Sequence, residues 1–108
     1  MMTKIKSPKN KMPTKVRVLG RIFKIKSLKD DEHLDADGIM INDEQLIGVR
    51  EKEVLSYMQD TLLHETIHAI DETLFLKMTE RQVSNLASVL YAVLKDNPEF
   101  TKWILQDE

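Results

Sequence analysis

The chain has 108 residues, 42% of them hydrophobic and 31% charged, with a formal net charge of −2 and no cysteine. That size supports one domain around one modest core, and without thiols there is no disulfide framework, cysteine zinc ribbon or thiol nucleophile, so any metal must be held by His, Asp, Glu or Tyr. No apolar run approaches the roughly 20 residues that cross a bilayer, and the N-terminus lacks the apolar middle of a signal peptide; a cytoplasmic protein with no membrane partner is the expectation.

Charge is unevenly spread. Residues 1–29 carry ten Lys or Arg and no acid, whereas residues 30–108 carry six basic and eighteen acidic side chains. The opening MMTKIKSPKNKMPT holds Pro8 and Pro13, little apolar content and no periodicity. It reads as a flexible basic arm over residues 1–14, followed by a single domain over residues 15–108. The arm could meet nucleic acid or an acidic partner, or act as counter-charge to the acidic body; no nucleic-acid recognition motif accompanies it. KIKSPK and KIKSLK nearly repeat at residues 4–9 and 24–29, but they are too short to define a structural repeat.

KVRVLGRIFKIK alternates on both sides of a turn near Leu19-Gly20-Arg21, with Val16, Val18, Ile22 and Phe23 or Ile25 as apolar positions, which predicts a β-hairpin. SLKDDEHLDADG is acidic and turn-rich and predicts a loop or one short helical turn, with His33 on its surface. IMINDEQLIGV predicts two more short strands around Asn42-Asp43-Glu44, giving a small antiparallel sheet over residues 15–50.

From about Glu51 the period becomes helical. With His64 at 0° and about 100° per residue, Leu55, Leu62, Leu63, Ile67, Ile70 and Leu74 fall on one side. Tyr57, Thr61, His64, Glu65, His68, Asp71 and Glu72 fall on the other, which predicts a two-faced helix with both histidines on its polar side. Thr79 and Gln82 then form a capping-box pattern, so a second helix begins near Glu80, with Val83, Leu86, Ala87, Leu90 and Leu94 as its apolar stripe. Asn97-Pro98 ends it. EFTKWILQ predicts a short third helix whose Phe100, Trp103 and Ile104 close the core. A small sheet followed by helices is α+β.

The chemistry concentrates in LLHETIHAIDE, residues 62–72. Imidazoles at i and i+4 stand about 6 Å apart along a helix and can converge on one Zn²⁺. Glu65, about 100° round from His64, lies beside such a metal rather than on it. There it could act as general base for the metal's water and return the proton to the leaving amine. The competing reading is an ordinary polar helical face. Asp71, one turn on, could orient His68 or simply be solvated.

Tetrahedral zinc needs a third protein ligand. Glu80 is the best carboxylate, although an acid in a helix's first turn is also favoured by the helix dipole. If the first helix ran straight to Leu76, Glu80 would stand on the order of 13 Å above the histidines along the axis. Glu80 can therefore bind only if that helix ends near Glu72 and TLFLKM folds back, or if the helices cross steeply. Tyr91 and Asp71 remain alternative third ligands.

TLLHETIHAIDE, followed by LKMTERQVSNLASVLYAVLKDNPEF, resembles the small HExxH proteins of bacteriophages and prophages, minimal zincins related in outline to ImmA/IrrE-type metallopeptidases. The resemblance covers residues 15–100 and is strongest over 61–98. It implies a minimal zincin-like fold and a gluzincin scheme, with His64, His68 and Glu80 as zinc ligands and Glu65 as catalytic base. It also implies a protein or peptide substrate, such as a phage or host regulatory protein, met in the host cytoplasm. The chain departs from ImmA/IrrE proteins in having Ile67 where they usually have Gly and only twelve residues from His68 to Glu80. SprT-like proteases share the HExxH helix but carry a cysteine zinc ribbon, which is absent here. Two other functions stay open at this point: an inactive zincin-fold protein that sequesters a host factor, and a nucleic-acid-binding protein using the basic arm.

Overall fold

A computed structural model of the chain describes residues 11–107. The first ten residues, most of the expected basic arm, lie outside the described residues. Of the remainder of that arm, Met12 packs against the core and the Thr14 carbonyl accepts a hydrogen bond from the Ile25 N–H at 2.9 Å.

Strands β1 (Lys15–Val18) and β2 (Arg21–Leu28) form the predicted hairpin. Its two loop residues, Leu19 and Gly20, have φ values of 51° and 88°. Positive φ at both central positions is the type I′ geometry, which matches the right-handed twist of the paired strands. Val16, Val18, Phe23 and Ile25 turn inward, whereas Ile22 is 41% exposed on the opposite face.

Strands β3 (Gly38–Ile41) and β4 (Leu46–Arg50) form a second antiparallel hairpin, closed by the Gln45 N–H donating to the Asn42 carbonyl. The sheet is mixed, not purely antiparallel as the sequence suggested. Its order is β1-β2-β4-β3, and β4 runs parallel to β2. Burial explains the order. Ile47 and Val49 of β4 are 0% exposed, so the most deeply buried strand takes the interior slot and β3 becomes the edge. The loop that carries the chain past that slot is pinned by Arg50, whose guanidinium donates to the carbonyls of Lys29, Glu32, His33 and Ala36 at 2.6–3.1 Å.

Helices α1 (Leu55–Leu74), α2 (Glu80–Asp96) and α3 (Pro98–Ile104) follow, so the class is α+β as expected. Helix α1 lies between the sheet and α2. Met58 and Ala69, with Leu62 and Ile70, pack on Val18, Phe23, Ile25, Ile47 and Val49. Ile67 and Leu63 pack on Val83 and Ala87. Contact on two sides corrects the expectation of one apolar and one solvated face: Glu65 and Asp71 are buried, and Leu74 is exposed.

The capping box of α2 is present, but its stripe is narrower than predicted. Only Val83 and Ala87 are buried, while Leu86 and Leu90 face out. Phe100, Trp103 and Ile104 do not close the core; they are 50%, 67% and 56% exposed, and α3 buries no residue. The i, i+4 pair Val83 and Ala87 already fills the seam with α1, and the chain turns away at Asn97-Pro98 before the later apolar residues can reach it. None of the helices among the described residues is long and apolar enough to cross a membrane.

Candidate metal centre

His64 and His68 sit one turn apart on α1, with ring centroids 4.9 Å apart and ring planes at 63°. What brings a third group to them is the way α1 ends. Phe75 adopts a left-handed conformation at φ 55°, and the N–H groups of Phe75 and Leu76 both donate to the Asp71 carbonyl. Lys77 is left-handed as well, at φ 59°. Such conformations are unfavourable for residues with a Cβ and persist only where the surroundings impose them. Here Asp71 imposes them twice, because its Oδ1 also accepts the Met78 N–H at 3.1 Å. Asp71 therefore ties down the reversal; neither orienting His68 nor free solvation describes it.

Thr79 then starts α2. Its Oγ1 accepts the Gln82 N–H at 3.1 Å, and the Gln82 side chain accepts the Thr79 N–H at 2.9 Å. This fixes Glu80 as the first residue of α2, where it reaches back over α1. Its Oε2 lies 2.9 Å from His64 Nε2 and its Oε1 lies 2.8 Å from His68 Nε2. The condition for Glu80 to join the histidines is met, since α1 stops at Leu74 and TLFLKM folds back.

The three ligand atoms lie within 4.8 Å of one another, and no other group of three metal-ligating side chains occurs among the described residues. Ligands about 2.0–2.1 Å from a tetrahedral zinc stand about 3.3 Å apart. The 2.8 and 2.9 Å separations run to different oxygens of Glu80; the 4.8 Å spread of the three ligand atoms is compatible with a metal site, and two imidazoles with one carboxylate are a donor set that several divalent metals accept. The other candidates lie elsewhere. Tyr91 donates to Gln59 Oε1 at 2.7 Å, and His33 belongs to the loop pinned by Arg50.

Burial raises the pKa of Glu80, but the fields of His64 and His68, with hydrogen bonds from His68 and Ser84, outweigh it and hold the carboxyl below its ordinary value. Glu65 differs. Burial pushes it up to about 7, and the nearby Glu80 charge adds to the rise against an opposing pull from His68. The site thus pairs a carboxylate from α2 that is held ionised with one from α1 that is poised near neutrality.

A cavity of about 280 Å³ opens between His64, Glu65, Glu80 and Gly38, with Asp37 and Asp60 also lining it. The Oδ1 of Asp60 is buried and has no hydrogen-bond partner among the described residues. Gly38 matters for close approach. A Cβ there would stand 2.5 Å from Thr61 Cγ2 and 3.0 Å from both Cγ and Oε2 of Glu65. A bare backbone lets β3 close over the glutamate.

Sequence reasoning singled out His64, Glu65, His68 and Glu80, and the fold gathers all four at the middle of α1, under the first turn of α2. It missed Asp71's capping role and the steric role of Gly38. An acid in the last turn of a helix, just before the break at TLFLKM, is the sequence signal for the first; nothing local marks the second. No known family model, curated protein or solved structure matches this chain.

Proposed function

We propose that the protein is a zinc-dependent metallopeptidase of gluzincin type, in which His64, His68 and Glu80 hold the metal and Glu65 is the catalytic base. The observation that carries this reading is the reversal over residues 75–79, which brings Glu80 within 2.8–2.9 Å of both histidines. Two left-handed residues and a buried aspartate hold that geometry, a cost that an accidental polar face would not need. The order of sheet, HExxH helix, reversal and ligand glutamate supports kinship with minimal zincins.

Bound zinc would supply a Lewis acid for the scissile carbonyl and bring its water's pKa toward neutrality. Glu65 lines the same cavity, and a carboxyl near pH 7 can both take a proton and give it back to the leaving amine. Edge strand β3 suits an extended peptide. The Arg50 N–H donates to the Asp37 carbonyl, so Asp37, Ile39 and Ile41 point their backbone groups at β4. Gly38 and Met40 then point theirs outward, beside the cavity, where a substrate strand could pair.

The test is zinc content together with turnover of a fluorescently labelled unfolded protein. We expect near one zinc per chain, lost in His64→Ala and weakened in Glu80→Ala. Glu65→Gln should keep its zinc and lose about 10²–10⁴-fold in rate. A folded wild type that takes up no zinc ends the metal reading. Zinc without any cleavage ends the peptidase reading alone.

A further inference from the structure

The basic residues of the N-terminal third do not share one role. Arg21 points inward, donating to Thr73 Oγ1 and the Asn42 carbonyl and lying 4.8 Å over the Phe23 ring. Lys26 is paired with Glu32 at 2.9 Å. Lys15, Arg17 and Lys24 are exposed and have no ion-pair partner among the described residues. Side chains alternate across a strand. Since Val16, Val18, Phe23 and Ile25 face the core, these three cations lie together on the open face of the β1–β2 hairpin.

Their placement is electrostatically unfavourable. Lys15 is directly opposite Lys24 in the register. The Ile25 N–H donates to the Thr14 carbonyl, which makes residues 14 and 25 a hydrogen-bonded pair and 15 and 24 a non-hydrogen-bonded one. In an antiparallel ladder that pair type has the closer side chains, and like charges directly opposite destabilise a sheet. An acid at either position would have formed a favourable pair. Two lysines make sense where an anion neutralises them.

We propose that this open hairpin face, built on Lys15, Arg17 and Lys24, binds the phosphodiester backbone of nucleic acid without reading its sequence. Charge identifies the class of partner. Protein interfaces are anchored by apolar and aromatic side chains at their centres, and among these strands' outward positions only Ile22 is a large exposed hydrophobic. Backbone phosphates need cations and little else. The face lies on β1 and β2, while the metal centre lies on α1 and α2 beside edge strand β3, so both can be engaged in one molecule. The two readings stand or fall separately.

The test is fluorescence anisotropy of a labelled 20-base-pair DNA duplex and its single strand, titrated with the full chain at several salt concentrations. Wild type should bind both, with affinity falling steeply as salt rises, by a logarithmic slope of about −3 for the duplex if three phosphates are met. Lys15→Gln/Lys24→Gln should weaken binding at least tenfold at low salt, lower that slope by about two, and leave the melting temperature unchanged or higher. Lys95→Gln/Lys102→Gln, near the other end of the chain, should bind as wild type. Unchanged binding by the Lys15/Lys24 variant overturns the proposal. So does an unlabelled polyglutamate competitor that displaces the DNA at equal charge concentration, which would assign the face to an acidic protein.

Discussion

The two ends of α2 are built from similar amounts of apolar and polar sequence, yet they behave in opposite ways. At the first turn nearly every side chain has an assigned partner: Thr79 and Gln82 cap each other, Glu80 meets His64 and His68, and Val83 is 0% exposed against Ile67. At the last turn and in α3 just beyond it, Val93, Phe100, Trp103 and Ile104 have apolar side chains and no core to enter. The contrast shows what holds this small molecule's candidate site in place. Geometry at the candidate metal centre comes from short-range polar bonds around a chain reversal, with two buried residues, Val83 and Ala87, clamping α2 behind it.

The strongest way to break that contrast is to cut the reversal itself. Asp71→Ala removes the acceptor of the Met78 N–H and should cost about 1–3 kcal/mol of stability. Zinc affinity should fall more than about tenfold, which corresponds to about 1.4 kcal/mol, although His64 and His68 are untouched. Asp71→Asn keeps an oxygen acceptor and should keep most of both. Isothermal titration with zinc after urea denaturation of each variant separates the effects. Equal zinc affinity in wild type and Asp71→Ala would mean that Glu80 does not depend on this reversal.

A second pair of substitutions sharpens the difference between the ends. Val83→Ala empties a fully buried position and should destabilise by about 2 kcal/mol. Trp103→Ala removes a much larger side chain that is 67% exposed, and should shift stability by no more than about 0.5 kcal/mol. Urea midpoints at low protein concentration measure both. A Trp103→Ala cost as large as that of Val83→Ala would mean that α3 is packed in solution and that the two ends are alike.

The same contrast explains what the sequence made legible. The grouping of the candidate-site residues was readable because their signals are local: HETIH places two imidazoles by helical repeat alone, and TERQ places Glu80 by its capping box. Fold class followed from the change of period near Glu51. The core was less readable, because apolar periodicity identifies a face without showing what meets it. Leu86 and Leu90 fit the stripe as well as Val83 does, but α1 reaches only the first half of α2. The polar face of α1 misled for the converse reason. Glu65 and Asp71 look solvated by helical angle, yet β3 at Gly38 covers one and the folded-back chain covers the other. Parallel pairing of β4 with β2 also had no local mark, since it follows from competition among strands for the buried slot.

The smallest effect tests how far the cap of α2 belongs to the site. Thr79→Ala removes the oxygen that accepts the Gln82 N–H and should cost about 1 kcal/mol in the zinc-free protein. If the cap only starts a helix, that cost should be the same with zinc present. If it also aims Glu80, the zinc-bound form should lose more, because a ligand stabilises the folded state in proportion to its affinity for it. Unfolding measured with a chelator and with saturating zinc therefore gives two numbers whose difference is the cap's contribution to metal binding. We expect an excess of about 0.5 kcal/mol, a twofold to threefold loss of zinc affinity, because Glu80 is the first residue inside the cap and both of its oxygens are engaged by the histidines. A vanishing excess would show that the histidines, once metal is bound, hold Glu80 without help from the helix that carries it.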